Sequence, residues 1–540
     1  MLKWTIYWLG LGNIIIMTTS RRALKIKWFS CYAILLFFVV SCVKPSTSFL
    51  PEFNQIDLLI ENGFIIDGSG KEAFPSDIVI VKDRIVFIGK TKFTNADYKD
   101  RIIKKIDADN RFITPGFIDL HSHGDPLETP SMENFLAMGV TTITLGQDGS
   151  SPAVQDLSKW MDQVSEKGIG VNLAMFVGHG TLRNLSGIGR SNLISDSKMS
   201  GMLDTLNETL KYTFGLSTGL EYNPGLNASL EELIELAKIV GKNNRMIMSH
   251  LRNEDDDQIE NSIAELLEQG RYSKVHIAHL KSVYGKGRER AEEIIEILGK
   301  ARSVGIDITA DMYPYNASYT GIGIIFPTWA KTIEEFNVAK IERRNELEEY
   351  LINRVNLRNG PEAVLLGTDP YTGMTLSQLS HEKETPFEDI LIDLIGPEGV
   401  SGAYFVMNNE LQTRFLIDPN IGISSDGSPT GFHPRGHGTF AKVIEEYVVN
   451  KGLLSLEAAV YKMTSFAASI LGITERGQLK SGMIADLLIF DASKVKAIAN
   501  YTDPFEYADG FDVVIINGNI ARENGELVEG FFGRVLQPNL

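Results

Sequence analysis

Residues Gly116–Asp125 read GFIDLHSHGD, an apolar run that ends in two histidines one residue apart. In an extended strand, residues two apart point the same way, so His121 and His123 would aim their rings at one spot. The chain has only nine histidines in 540 residues, and all of them fall between His121 and His437. His250 closes RMIMSH and His279 closes VHIAH, each at the end of a buried strand-like run, and Asp426 ends IGISSD in the same way. Neutral imidazole is the commonest protein ligand for metals, so four rings at strand ends predict one convergent metal site. Asp426 alone would be a turn residue; in this company it reads as a general base. His276 stands an odd number of residues from His279 and is expected on the opposite face of its strand, in a structural role.

The text around these runs alternates. VTTITLG, VNLAMFVGHG, IDITADMYPY and the strands above are separated by amphipathic stretches such as SLEELIELAKIVGK and AEEIIEILGKARSVG. That alternation predicts an α/β fold, a (β/α)8 TIM barrel over residues 115–474, with chemistry at the C-terminal ends of its strands. Residues 55–114 and 475–540 read instead as short alternating strands with turns at NG, GSG and KD, and are expected to form one small β-sandwich domain from both ends of the mature chain.

The first 42 residues differ in kind. Arg21, Arg22, Lys25 and Lys27 precede YAILLFFVV and then Ser41 and Cys42, which has the order of an export signal. VVSC resembles the bacterial lipoprotein signal, with Cys42 as the lipidated residue and residues 43–54 as a tether; the competing reading is an uncleaved anchor. Met17 is an alternative start, and SRRALK matches a twin-arginine signal only loosely. The other cysteine, Cys31, lies inside the signal, which leaves the mature chain no disulfide and no thiolate ligand. This places the protein in the bacterial cell envelope, touching membrane only through its lipid. A formal net charge of -17 and the lack of a basic run in the mature region argue against a nucleic-acid partner. Hydrophobic residues make up 43% of the chain, enough for a full core.

HSH followed by single histidines and an aspartate at later strand ends resembles the metal-dependent amidohydrolase superfamily. Six further stretches resemble the D-aminoacylases (N-acyl-D-amino-acid deacylases): VGHGTLR (177–183), GLSTGLEYNPG (215–225), SHLRNE (249–254), DMYPYNA (311–317), HPRGHGTF (433–440) and KMTSFAA (462–468). The resemblance implies that His121 and His123 hold one divalent ion and His250 and His279 another, zinc first, with manganese, cobalt or iron as alternatives. Glu221 stands where related enzymes often use a carboxylated lysine, and no lysine occurs in TFGLSTGLEY, so Glu221 is expected as a direct carboxylate bridge or else as an ordinary salt-bridged residue. The family's GNCG motif, whose cysteine ligates zinc, is here GQDG (146–149), which puts Asp148 in the thiolate's place. A hard oxygen ligand there should weaken selectivity for zinc, unless Asp148 merely caps a turn.

The chemistry implied is amide hydrolysis, in which a metal ion lowers the pKa of water towards about 7 and polarises the carbonyl while Asp426 moves the proton. Arg252 and Lys281 each lie two residues past a ligating histidine and are expected to face the pocket if the strands stay extended; Arg252 is alternatively paired with a nearby acid. The resemblance assigns the substrate carboxylate to Lys281, Tyr222, Tyr313 and Arg435. His179, His433 and His437 are expected to order loops. The expected substrate is a small N-acyl-D-amino acid or a D-terminal dipeptide. Two alternatives remain at this stage: a cyclic amide hydrolase of the dihydroorotase or hydantoinase kind, disfavoured by the missing lysine, and a non-catalytic envelope lipoprotein, disfavoured by the complete ligand set.

Overall fold

A computed structural model describes residues 55–91 and 100–538, so the expected signal and tether lie outside the described residues. Strands β1 (Ile56–Ile65), β2 (Phe74–Val81), β3 (Arg84–Gly89), β4 (Ile102–Asp107) and β5 (Phe112–Pro115) come first. The next seven, β6 (Phe117–Ile118), β7 (Val140–Leu145), β8 (Asn172–Gly178), β9 (Gly215–Gly219), β10 (Met246–His250), β11 (Lys274–Ile277) and β12 (Ile308–Met312), pair in sequence and in parallel. β13 (Ser318–Gly321), β14 (Val364–Leu366) and β15 (Ser401–Tyr404) form a separate antiparallel sheet, after which β16 (Ile421–Ile423) joins β12 as the eighth barrel strand. β17 (Leu487–Phe490), β18 (Phe511–Ile516), β19 (Asn519–Glu523) and β20 (Glu526–Leu527) complete the chain.

Every residue of β7, β8, β9 and β10 is buried, as expected of parallel strands covered on one side by helices and on the other by the barrel interior. The crossover helices obey their sequence patterns. Helix Leu230–Lys242 begins where the Ser229 side chain accepts the N–H of Glu232, and buries Leu233, Leu236, Ala237 and Val240 on the face that a period of 3.6 predicts.

Edge strands β6 and β16 meet just beyond their last residues. The N–H of Asp426 donates to the His121 carbonyl and that of His123 to the Gly427 carbonyl, both at 2.8 Å, while Ser122 and Gly427 form a parallel bridge. The barrel therefore closes along the residues expected to do the chemistry. Asp119 staples the same seam, accepting the backbone N–H groups of His121 at 3.2 Å and Ser425 at 2.8 Å. A Cβ on Gly427 would stand 2.4 Å from the Cα of Gly436, so this seam needs two bare glycines in contact.

The flanks share one sheet: β5 pairs with β1 in parallel and with β17 in the antiparallel sense, which brings strands from both ends of the described chain together. The lobe inserted between β12 and β16 was not separated from the barrel in the sequence. Residues 319–329, YTGIGIIFPTW, include the end of β13 and a short 3-10 turn, and the lobe carries its own core around Ile322, Phe326, Leu351 and Tyr404. Among the described residues no helix is long and apolar enough to cross a membrane.

Candidate active site

The four histidines and Asp426 do converge, although by a different local route from the one expected. β6 ends at Ile118, so His121 and His123 are not on a strand; the seam hydrogen bonds hold them extended, with ring centroids 5.1 Å apart. β11 likewise stops at Ile277, and His279 reaches the site by taking a left-handed backbone, φ 38°. Asp148 and Asp426 do the same, at φ 52° and 49°. Three non-glycine residues in this sparsely populated region, all in one site, are held there by their surroundings. For His279 the hold is visible: its N–H donates to Asp311 Oδ1 at 2.7 Å, and the other oxygen of Asp311 meets His276 Nε2 at 2.7 Å. His276 thus has the structural role expected of it.

Ligand-type atoms fall into three groups, in each of which all lie within 4.8 Å of one another: His121, His123, Asp148 and Asp426; Asp148, His250 and His279; and Glu221, His250 and Glu254. Asp148 is common to the first two. Its Oδ1 lies 3.3 Å from His121 Nε2 and 3.2 Å from His279 Nε2, and its Oδ2 lies 3.4 Å from His123 Nε2. The structure therefore gives the shared position to Asp148, whereas the Glu221 carboxylate meets one of the four histidines, His250, at 3.2 Å. Both ring nitrogens of His121 are buried with no hydrogen-bond partner among the described residues, which fits a divalent cation as their partner. The donor set, imidazole nitrogen with carboxylate oxygen and no thiolate, suits zinc and also harder first-row ions.

Burial works against charge on all these groups; it prevails at His121, whose imidazole it pulls down, while at Asp148, Asp426 and His123 the close pairs win. Burial would raise Asp148, but His121 and His279 hold it well below the usual carboxylate range. Burial would likewise raise Asp426, but the Arg435 guanidinium, 2.6 Å from its Oδ2, keeps it ionised. His123 is opposed by burial and pushed up to about 9 by its bonds to Asp148 and Asp426. A cation held by these groups would take over the neutralising role of those protons.

The residues expected to bind substrate carboxylate divide. Tyr222, Lys281 and Arg435 line the cavity, of about 450 Å³, that contains the site. Lys281 is tied to both oxygens of Glu254, at 2.7 and 2.8 Å, and lies 2.7 Å from His279 Nδ1. Tyr313 lies behind, with the Arg435 guanidinium 5.0 Å from its ring centre. Arg252 is not brought to the site: it is spent on both oxygens of Glu265 and on the carbonyls of Leu226 and Ala228. Because β10 ends at His250, alternation no longer governs a residue two further on. Its partner is a helix residue, not one of the neighbouring acids considered from the sequence. Three further histidines order their surroundings: His179 bonds Glu232 at 2.8 Å, His433 bonds the Ala317 carbonyl at 3.0 Å and accepts the Arg435 N–H, and His437 stacks on Tyr507. Glu254 and Arg358, both lining the cavity, carried no signal that singled them out in the sequence.

A parallel barrel that gathers imidazoles and carboxylates at its C-terminal mouth is the arrangement that the resemblance to the metal-dependent amidohydrolases implied. No family model matches the chain. It is 28% identical to an N-acyl-D-glutamate deacylase of Alcaligenes xylosoxydans xylosoxydans, over 86% of this chain and 93% of the relative. It is also 28% identical to a D-aminoacylase of the same organism, over 89% and 97%. The crystal structure of N-acyl-D-glutamate deacylase from Bordetella bronchiseptica, complexed with zinc and a phosphonate mimic of the tetrahedral intermediate, superposes with a TM-score of 0.77 at 26% identity, covering 89% of this chain and 100% of that one. The resemblance read from the six motifs is borne out over most of the chain, whose relatives and structural neighbours are amidohydrolases of the D-aminoacylase type.

Proposed function

We propose that the protein hydrolyses the amide bond of N-acyl-D-amino acids, D-terminal dipeptides included, to a carboxylate and a free D-amino acid. The observation that carries this reading is the carboxylate of Asp148, shared between two imidazole groups in a cavity that also holds Asp426 and three groups suited to a substrate carboxylate. His121, His123 and Asp426 would hold one divalent ion and His250 and His279 another, with Asp148 between them. When bound, such ions supply an acidified water and a polarised carbonyl.

The chain's own groups do the rest. Asp426 Oδ1, 3.1 Å from His123 Nε2, is buried and ionised, and so takes the proton of the attacking water. It then returns that proton to the departing amine nitrogen, which leaves poorly unless protonated. Lys281, Tyr222 and Arg435 hold the α-carboxylate, with Tyr313 supporting Arg435 from behind, and this orients the scissile bond toward Asp426. Arg435 is also the counter-charge of Asp426, so binding and proton transfer share one side chain.

The test is metal analysis together with amino-acid release from N-acetyl-D- and N-acetyl-L-amino acids, using protein truncated before Ser46. Bound metal with D-selective release is expected. Metal with no release from either enantiomer would turn the assay to D-terminal dipeptides, and no release from these either would sink the reading and move the bond cleaved to a cyclic amide. We further propose, from the basic and apolar order of residues 21–42, that the enzyme is exported and lipid-anchored through Cys42 in the cell envelope. Expressed in a bacterium fed a labelled fatty acid, the full chain should take up label and Cys42→Ser should not; equal labelling would refute the anchor.

A further inference from the structure

The cations around the cavity are unequally matched. Lys281 faces Glu254, and Arg435 faces Asp426, one carboxylate to one cation. Arg358 is different. It follows the helix Arg344–Leu357 of the inserted lobe, lines the same cavity and is 3% exposed. One of its terminal nitrogens donates to Asp255 Oδ1 at 2.8 Å, but the other oxygen of Asp255 is already taken by Arg354. Two guanidinium groups thus share one carboxylate, and Arg358 Nε is buried with no partner among the described residues. Lys331 stands behind the lining residues as a third cation, within electrostatic reach of Arg354 and Arg358: its ammonium group bonds the Glu221 carbonyl, at 3.4 Å, and forms no ion pair among the described residues, so that with the Glu221 carboxylate counted three cations face two carboxylates.

A buried wall with more positive than negative charge is costly unless an anion completes it. The α-carboxylate of the substrate already has Lys281, Tyr222 and Arg435, on groups from the barrel itself. The surplus at Arg358 belongs to the inserted lobe, whose sequence the barrel's chemistry does not constrain. We infer that Arg358, backed by Lys331, receives a second carboxylate carried on the substrate's side chain, so that the preferred substrates are N-acyl derivatives of D-glutamate or D-aspartate. This rests on the deacylase reading above and narrows it. Relatives named N-acyl-D-glutamate deacylase, D-aminoacylase and N-acyl-D-aspartate deacylase are 28%, 28% and 29% identical to the chain, so similarity does not choose among them and the preference is argued from the wall alone.

N-acetyl-D-glutamate and N-acetyl-D-glutamine are the decisive pair, since they share shape and differ in charge. The metal-loaded full chain is expected to show kcat/KM at least tenfold higher for the glutamate derivative, and Arg358→Gln should reduce that ratio at least tenfold. Arg358→Lys, which keeps a charge beside Asp255, should retain part of the preference and guards against a folding defect in the first variant. Equal or better turnover of the glutamine derivative by the unaltered enzyme overturns the inference and leaves the deacylase reading intact. A loss that strikes both substrates equally in Arg358→Gln also overturns it, because Arg358 would then hold the α-carboxylate. If neither is hydrolysed while other N-acetyl-D-amino acids are, the inference is overturned and the deacylase reading stands; if none is hydrolysed the deacylase reading fails, and calorimetric titration with free D-glutamate and D-glutamine decides the subsite: tighter glutamate binding that Arg358→Gln removes supports it, and no difference refutes it.

Discussion

At the scale of single residues, the two carboxylates do separable work. Asp148 belongs to both imidazole groups, so its loss removes an oxygen from each. Asp148→Ala is expected to lower metal content below one ion per chain, as read by elemental analysis after gel filtration. Asp148→Cys should bind zinc more selectively over manganese, because a soft ligand replaces a hard one; unchanged competition between the ions would mean that Asp148 does not ligate. Asp426 belongs to only one group, and the set of Asp148, His250 and His279 is complete without it. Asp426→Asn should therefore keep at least one ion while kcat falls by at least about 100-fold, the range for losing a positioned proton carrier. Near-normal turnover in this variant would remove the proton-transfer role. His121, His123, His250, His279 and Asp426 could be read from the sequence because each follows a run of buried apolar residues, where a polar group is conspicuous. Glu254 and Arg358 could not. The first sits in NEDDD and the second at a helix end, and both look like solvated charge until the cavity wall is assembled.

At the scale of elements, strand and helix alternation was readable because each buried strand is a short unbroken apolar run and each crossover helix keeps one apolar face. What periodicity could not convey is where a strand stops. β6, β10 and β11 end before or at the residues that matter, and the chain then leaves the alternating pattern, which is why Arg252 points to Glu265 and not to substrate. The inserted sheet was missed for a related reason: β13, β14 and β15 are three or four residues long, too short for alternation to show. The seam between β6 and β16 depends on contact rather than pattern. A Cβ at Gly436 would meet the Ser428 carbonyl oxygen at 2.4 Å, and that backbone cannot yield as a flexible side chain would. Gly436→Ala should cost about 1–3 kcal/mol, the usual range for overpacking, and should lower kcat as well, because the seam carries Asp426. A variant with unchanged melting temperature and turnover would show that the seam tolerates the displacement.

At the scale of the whole molecule, the helix Arg435–Lys442 ties the site to the C-terminal flank. It begins with Arg435, which holds Asp426, and two residues on His437 packs its ring against Phe505 and Tyr507. Burial pulls the His437 imidazole down to about 4, and its Nδ1 has no partner among the described residues. The unfolded chain, with an ordinary histidine near 6.5, binds a proton first as pH falls. Between those two values the unfolded state holds more protons, so stability rises with pH across this window and is lost as pH falls through it. The full loss amounts to about 3 kcal/mol at most, and it is complete below about pH 4. His437→Phe keeps an aromatic ring against Tyr507 and removes the titration. Denaturant unfolding of the metal-loaded enzyme and of this variant from pH 7 to 4.5 should give a steeper decline for the enzyme, with the two curves separating only below about pH 6.5. Parallel curves would mean that His437 titrates alike in both states, and the acid sensitivity of the molecule would then lie in the carboxylates and imidazoles of the site itself.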